Sequence, residues 1–152
     1  MNQPFYEFTV QNEATRFIFE SAGKQSIQKI VLLMDTSEPN LFQLSLADIL
    51  DDGSFDFLNI SNNGDFEKVM ATVAQIIMVF FKQNPEAVVA FTGSTPQRTR
   101  LYRIVLVREL HQISNRFLVK GLTDDGFVDF EPDKDYAGFV IYRKKYWYAK
   151  DI

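Results

Sequence analysis

Along the first 60 residues, apolar and polar positions alternate in short blocks, the pattern of strands with one face toward a core and one toward water. Residues 5–10 and 16–21 are aromatic or β-branched runs parted by the polar Gln11-Asn12-Glu13, and they read as two paired strands. Gly23-Lys24-Gln25 interrupts the pattern, residues 27–34 resume it, and residues 35–40, with Pro39 among polar neighbours, carry turn chemistry. In Leu41-Phe42-Gln43-Leu44-Ser45-Leu46 the apolar side chains mostly alternate with polar ones. After Asp51-Asp52-Gly53-Ser54, residues 55–60 alternate once more. The prediction is a β-meander of about five strands.

From Phe66 the period changes. Phe66, Val69, Met70, Val73, Ile77 and Phe80 recur at helical spacing behind the capping-rich Ser61-Asn62-Asn63-Gly64-Asp65. Ile76-Ile77-Met78-Val79-Phe80-Phe81 is apolar nearly all round, so the second half of this long helix needs cover on more than one side. A second copy of the chain, making a homodimer, is the expected source. Asn84-Pro85-Glu86 ends the helix, because the residue before proline avoids the α region. Ala87-Val88-Val89-Ala90-Phe91 shows no alternation and predicts a strand buried on both faces. A second helix is predicted over 96–115, with Thr95 as N-cap and Pro96 in the favoured first helical position. Residues 117–119 and 127–130 form a hairpin across Asp124-Asp125-Gly126, and 138–142 is the last strand. Five strands, helix, strand, helix and three strands make an α+β fold with a mostly antiparallel sheet and two main helices. With no repeat, linker or low-complexity stretch, residues 1–152 read as a single domain.

Composition narrows the classes. A chain of 152 residues removes roughly 70% of its unfolded surface from water, so it holds a core without staples. Its 46% hydrophobic content with 15 Phe points to an aromatic interior. The absence of cysteine excludes disulfides, thiolate nucleophiles and thiolate metal sites. His111 is the one histidine, so no metal site and no cofactor is expected. The N-terminus lacks a basic start followed by an apolar run, and the longest apolar stretch, 76–81, is far short of the roughly 20 residues of a membrane span. Cytoplasmic residence without a membrane partner is the expectation. A net charge of −4 opposes general attraction to nucleic acid, although a local basic face remains compatible with it.

The candidate site is Phe91-Thr92-Gly93-Ser94-Thr95-Pro96-Gln97-Arg98-Thr99-Arg100-Leu101-Tyr102-Arg103. A buried strand delivers a short turn to a helix start, where unpaired N–H groups and the positive end of the dipole favour an anion. Three arginines within the first two turns oppose that dipole and invite compensation by a small anionic ligand, phosphate or carboxylate. The ligand set would be Gly93, Ser94, Thr95, Arg98, Arg100 and Arg103. At 100° per residue, Arg100, Arg103, Val107 and His111 share one stripe, Tyr102, Leu106, Leu110 and Ile113 share a core stripe, and Arg98 falls nearer the core side. The competing reading is a well-made helix start with its arginines in structural ion pairs. The segment is neither a phosphate-binding Gly-Lys loop nor a nucleophile elbow, and His111 sits too far along the helix to activate Ser94.

Other constellations are weaker. Asp51-Asp52-Gly53 and Asp124-Asp125-Gly126 sit between strands and read as hairpin turns. Tyr142-Arg143-Lys144-Lys145-Tyr146-Trp147-Tyr148 interleaves cations and rings, as single-strand nucleic-acid platforms do, and offers Lys144, Lys145 and Trp147 for that role. Its plain reading is an edge strand protected by lysines.

Ala90-Phe91-Thr92-Gly93-Ser94-Thr95 with Arg98-Thr99-Arg100-Leu101-Tyr102-Arg103, together with Gly64-Asp65, residues 69–73 and Phe139-Val140-Ile141, resembles the signature of an uncharacterised bacterial family, a domain of unknown function. That resemblance implies one coherent domain and supplies no mechanism. The order of elements also looks similar to the Whirly-like class of single-strand nucleic-acid binders, an analogy that does not fix function. The leading expectation is a non-enzymatic cytoplasmic binding or interaction protein with an anion site at Gly93–Arg103. The alternatives are single-strand nucleic-acid binding and a phosphodiester or nucleotide-processing enzyme using a carboxylate such as Asp65 or Asp129.

Overall fold

In a computed structural model of the chain, residues 4–57, 63–131 and 134–144 are described. The meander forms as its alternation requires: β1 (Phe8–Gln11), β2 (Arg16–Ala22), β3 (Ser26–Asp35), β4 (Leu41–Ile49) and β5 (Phe55–Asp56) pair antiparallel in succession. β1 starts later than its apolar run because Tyr6 leaves the strand, stacks on Phe19 at 5.9 Å and donates its backbone N–H to Thr72 Oγ1. The expected continuation of β5 through residues 58–60 lies outside the described residues.

Helix α1 (Phe66–Gln83) crosses one face of the sheet and returns the chain as β6 (Val88–Phe91), which pairs parallel with β4. Helix α2 (Pro96–Ile113) packs beside α1, and β7 (Phe117–Thr123), β8 (Gly126–Val128) and β9 (Gly138–Arg143) complete the sheet. The strand order is β1-β2-β3-β4-β6-β9-β7-β8, with β5 on the end of β4. The fold is α+β with a mostly antiparallel sheet, and β4 with β6 is its parallel pair. Proline and glycine placement explains the breaks: Asn84 before Pro85 closes α1, and a two-residue turn at Asp124-Asp125 joins β7 to β8.

The main core lies between the sheet and the helices, with Phe17, Val31, Leu44, Val89, Phe91, Phe139 and Ile141 meeting Met70, Ile77, Phe80, Leu106 and Leu110. The apolar second half of α1 finds its cover within the chain. Ile76, Ile77, Phe80 and Phe81 are buried against the sheet and α2, and Met78 and Val79 are half-buried beside them. β6 is buried on both faces as its lack of alternation predicts, since Ala90 and Val88 join Val140, Tyr142, Leu41 and Leu118 on the opposite side. On α2 the core stripe is Tyr102, Val105, Leu106 and Leu110; Ile113, expected inside, lies at the exposed end of the helix. No helix among the described residues is long and apolar enough to cross a membrane.

Candidate functional site

The strand–turn–helix unit folds as a tightly fastened joint. Thr95 caps α2, its Oγ1 accepting the Arg98 N–H at 3.1 Å, with Pro96 in the first turn. Thr99 is buried and ties three points together: Oγ1 accepts the Gly93 N–H at 2.8 Å and donates to the Thr95 carbonyl at 3.0 Å, while its own N–H reaches the same carbonyl. Glycine at 93 follows from this closeness, because a Cβ there would stand 2.7 Å from Thr99 N. Two of the N–H groups that an anion would use, those of Gly93 and Arg98, are therefore already engaged within the chain.

Arg98 stands apart from Arg100 and Arg103. Arg98, expected nearer the core, is exposed, and its Nη1 donates to Ser94 Oγ at 2.8 Å across the turn; Thr99 takes the inward position instead. Arg103 lies over the Phe130 ring, 4.3 Å from its centroid, and burial, helped by the Arg100 charge, lowers its pKa. Arg100 and Arg103 border a crevice of about 10 Å³, the size of one water at most. Of the nucleic-acid residues, Lys144 is exposed just beyond β9, with its N–H on the Arg116 carbonyl. Lys145 and Trp147 lie outside the described residues. Of the two enzyme carboxylates, Asp65 Oδ2 accepts from the Tyr6 and Ser21 hydroxyls, and Asp129 sits 3.7 Å from Lys120. No group of three or more His, Asp or Glu side chains able to hold a metal occurs among the described residues.

What the turn does border is a cavity of about 910 Å³. It opens where β6 stops at Phe91 while β4 runs on to Ile49, that is, at the carboxyl ends of the parallel pair, the end at which open parallel α/β sheets hold their ligands. One wall is Phe91-Thr92-Gly93-Ser94, the first turns of α1 form another, and Leu46, Ala47 and Asp48 of β4 a third. Rings line part of it: Phe66 stacks on Tyr102 at 5.7 Å, and Tyr102 meets Phe91 at 5.4 Å. Burial raises the Tyr102 pKa despite the nearby Arg98 charge, so its hydroxyl stays neutral at ordinary pH.

The cavity also holds a buried ion pair. Lys29 of β3 and Asp48 of β4 are cross-strand partners, and Lys29 Nζ donates to Asp48 Oδ1 with both side chains about nine-tenths covered. Sequence reasoning missed this pair. Its signal was present: Lys29 shares strand parity with Val31 and Leu33, and Asp48 with Leu44 and Leu46, so both charges stand at core-facing positions. Among the described residues, four carboxylates (Asp48, Asp65, Glu67, Glu109) and two lysines (Lys29, Lys68) line the cavity, and none of the three arginines does.

Fold and cavity together define an α+β protein with a pocket at the carboxyl ends of a parallel strand pair. The chain belongs to a family of unknown function, DUF6934, whose family model matches residues 2–144. No curated protein and no solved structure gives a significant match.

Proposed function

We propose that this chain is a binding protein for a small organic molecule, seated in the cavity between the start of α1 and the end of β6. The observation that carries the reading is the Lys29–Asp48 ion pair on the wall of a cavity of about 910 Å³. Charges buried at a sheet end are costly and contribute little stability that apolar residues could not supply. Sharing the cavity with Phe66, Phe91 and Tyr102, they are buried, fixed polar groups of the kind that orient a ligand. The Gly93-Ser94 turn then belongs to the site as a wall, and the arginines stand outside it.

A second reading keeps the anion at the α2 start, favoured by Arg98 held on Ser94 and by the absence of an acidic residue in the first turn of α2. Thermal shift measurements with nucleosides, amino acids, sugars and inorganic phosphate separate the two. A ligand of the cavity raises the Tm of wild type and of Arg98→Ala/Arg100→Ala, and loses its effect in Leu46→Trp, which fills the cavity from β4. Stabilisation by phosphate that survives Leu46→Trp and vanishes in the arginine double variant would replace the cavity reading with the anion reading.

A further inference from the structure

We infer that the cavity takes a planar heterocycle with a 2-amino-oxopyrimidine edge, the hydrogen-bonding edge shared by guanine and pterin. The inference rests on the cavity being the ligand seat and adds the chemistry of what sits there.

A carboxylate accepts roughly four hydrogen bonds, and Lys29 occupies one of them on Asp48 Oδ1. Among the described residues Lys29 is the side-chain partner of Asp48. The acid therefore keeps acceptor capacity toward the cavity that it lines. Next to it stands the Lys29 ammonium, a donor. The pair presents, side by side, acceptors for two N–H groups and a donor for a carbonyl. A 2-amino-oxopyrimidine ring offers the complement in the same order: amino N–H, ring N–H, carbonyl oxygen. An adenine edge puts a ring acceptor against the carboxylate, and a cytosine edge puts two, so both meet repulsion there.

Two further observations point the same way. Phe66, Tyr102 and Phe91 form a continuous run of ring contacts along the cavity, a surface on which a flat heterocycle stacks. Among the described residues the lining has four carboxylates against two lysines, which disfavours an anionic ligand and suits a neutral ring rich in N–H donors.

Calorimetric titration of the wild-type chain with guanosine, pterin, inosine, adenosine and xanthosine tests this. Guanosine or pterin binds, and which of them binds tighter identifies the source of the ring. Inosine, lacking the 2-amino group, binds about tenfold more weakly than guanosine, and adenosine weaker still. In Asp48→Asn an amide N–H replaces one acceptor, so xanthosine, with a 2-oxo group, gains on guanosine. Should Asp48→Asn fail to fold, the wild-type series decides alone. Equal binding of guanosine and adenosine, or binding of none of the five compounds, overturns the assignment of the ring. If these five fail while another compound is lost on Leu46→Trp, the cavity reading stands and this one falls. Guanosine binding that survives Leu46→Trp overturns both.

Discussion

At the scale of single residues, Lys29–Asp48 contrasts with the three arginines in burial and pairing. The arginines stand in sequence as a conspicuous cluster, yet side-chain geometry divides it: Arg98 goes to Ser94, while Arg103, over the face of Phe130, stays beside Arg100. Lys29 and Asp48 lie 19 positions apart; strand parity marks each as core-facing, and strand pairing is what puts them opposite one another. Cross-strand register is a long-range property, which is why this part of the site was not legible from local pattern alone. The pair makes a sharp energetic prediction. Lys29→Met leaves Asp48 buried and unpaired, and urea unfolding should show a loss of about 3–5 kcal/mol, whereas Lys29→Met/Asp48→Leu should recover most of it. A double variant no more stable than the single one would show that the two side chains do not act as a pair.

At the scale of elements, both helices were legible to within a residue or two, because their starts carry Asp65 and Thr95-Pro96 and their ends carry Asn84-Pro85 and Ser114. The two starts nevertheless work differently. Thr95 caps α2 with its side chain, as the sequence predicts. Asp65 makes no side-chain cap on α1; its carboxylate accepts the Tyr6 hydroxyl at 2.6 Å and the buried Ser21 hydroxyl, while Asn63 joins Ser21 and the backbone of Gln25. The start of α1 is thereby pinned to the turn between β2 and β3, and glycine at 23 is required, since a Cβ would collide with the Asn63 carbonyl. Tyr6 leaves β1 for the same lock, which local strand propensity could not announce. Burial first, then the bond to Asp65, raise the Tyr6 pKa above the ordinary tyrosine value of 10.0. The neutral hydroxyl is thus the form the fold favours: its contribution is complete below about pH 10 and is lost as pH rises through the higher folded value. Tyr6→Phe should therefore be less stable than wild type by about 1 kcal/mol at neutral pH, with the difference closing in strong alkali. Parallel denaturation curves from pH 7 to 11 check this, and a gap that stays constant or widens would contradict it.

At the scale of the whole molecule, the sheet consists of a meander, β1 to β5, and a smaller group, β9, β7 and β8, joined through the four residues of β6. The meander and the hairpin were readable from alternation and turn residues, each a local signal. That β6 would insert between β4 and β9, parallel to one and antiparallel to the other, depends on the crossover through α1 and has no local signature. The insertion also creates the cavity, because a four-residue strand beside the longer β4 leaves the end of the sheet open under α1. One strand therefore both joins the two parts and shapes the cavity, and Phe91 is its last residue, stacked on Phe139 at 5.5 Å and touching Tyr102. Phe91→Ala should cost about 3–5 kcal/mol through the cavity it leaves. Since β6 hydrogen-bonds to both sides, the loss should spread evenly, with amide exchange accelerating by similar factors in β3 and β4 and in β7 and β9. Acceleration confined to β7 and β9 would mean that the meander and α1 form a unit stable without the rest, and that the cavity wall at Gly93 and Ser94 can open while the wall at Lys29 and Asp48 stays shut.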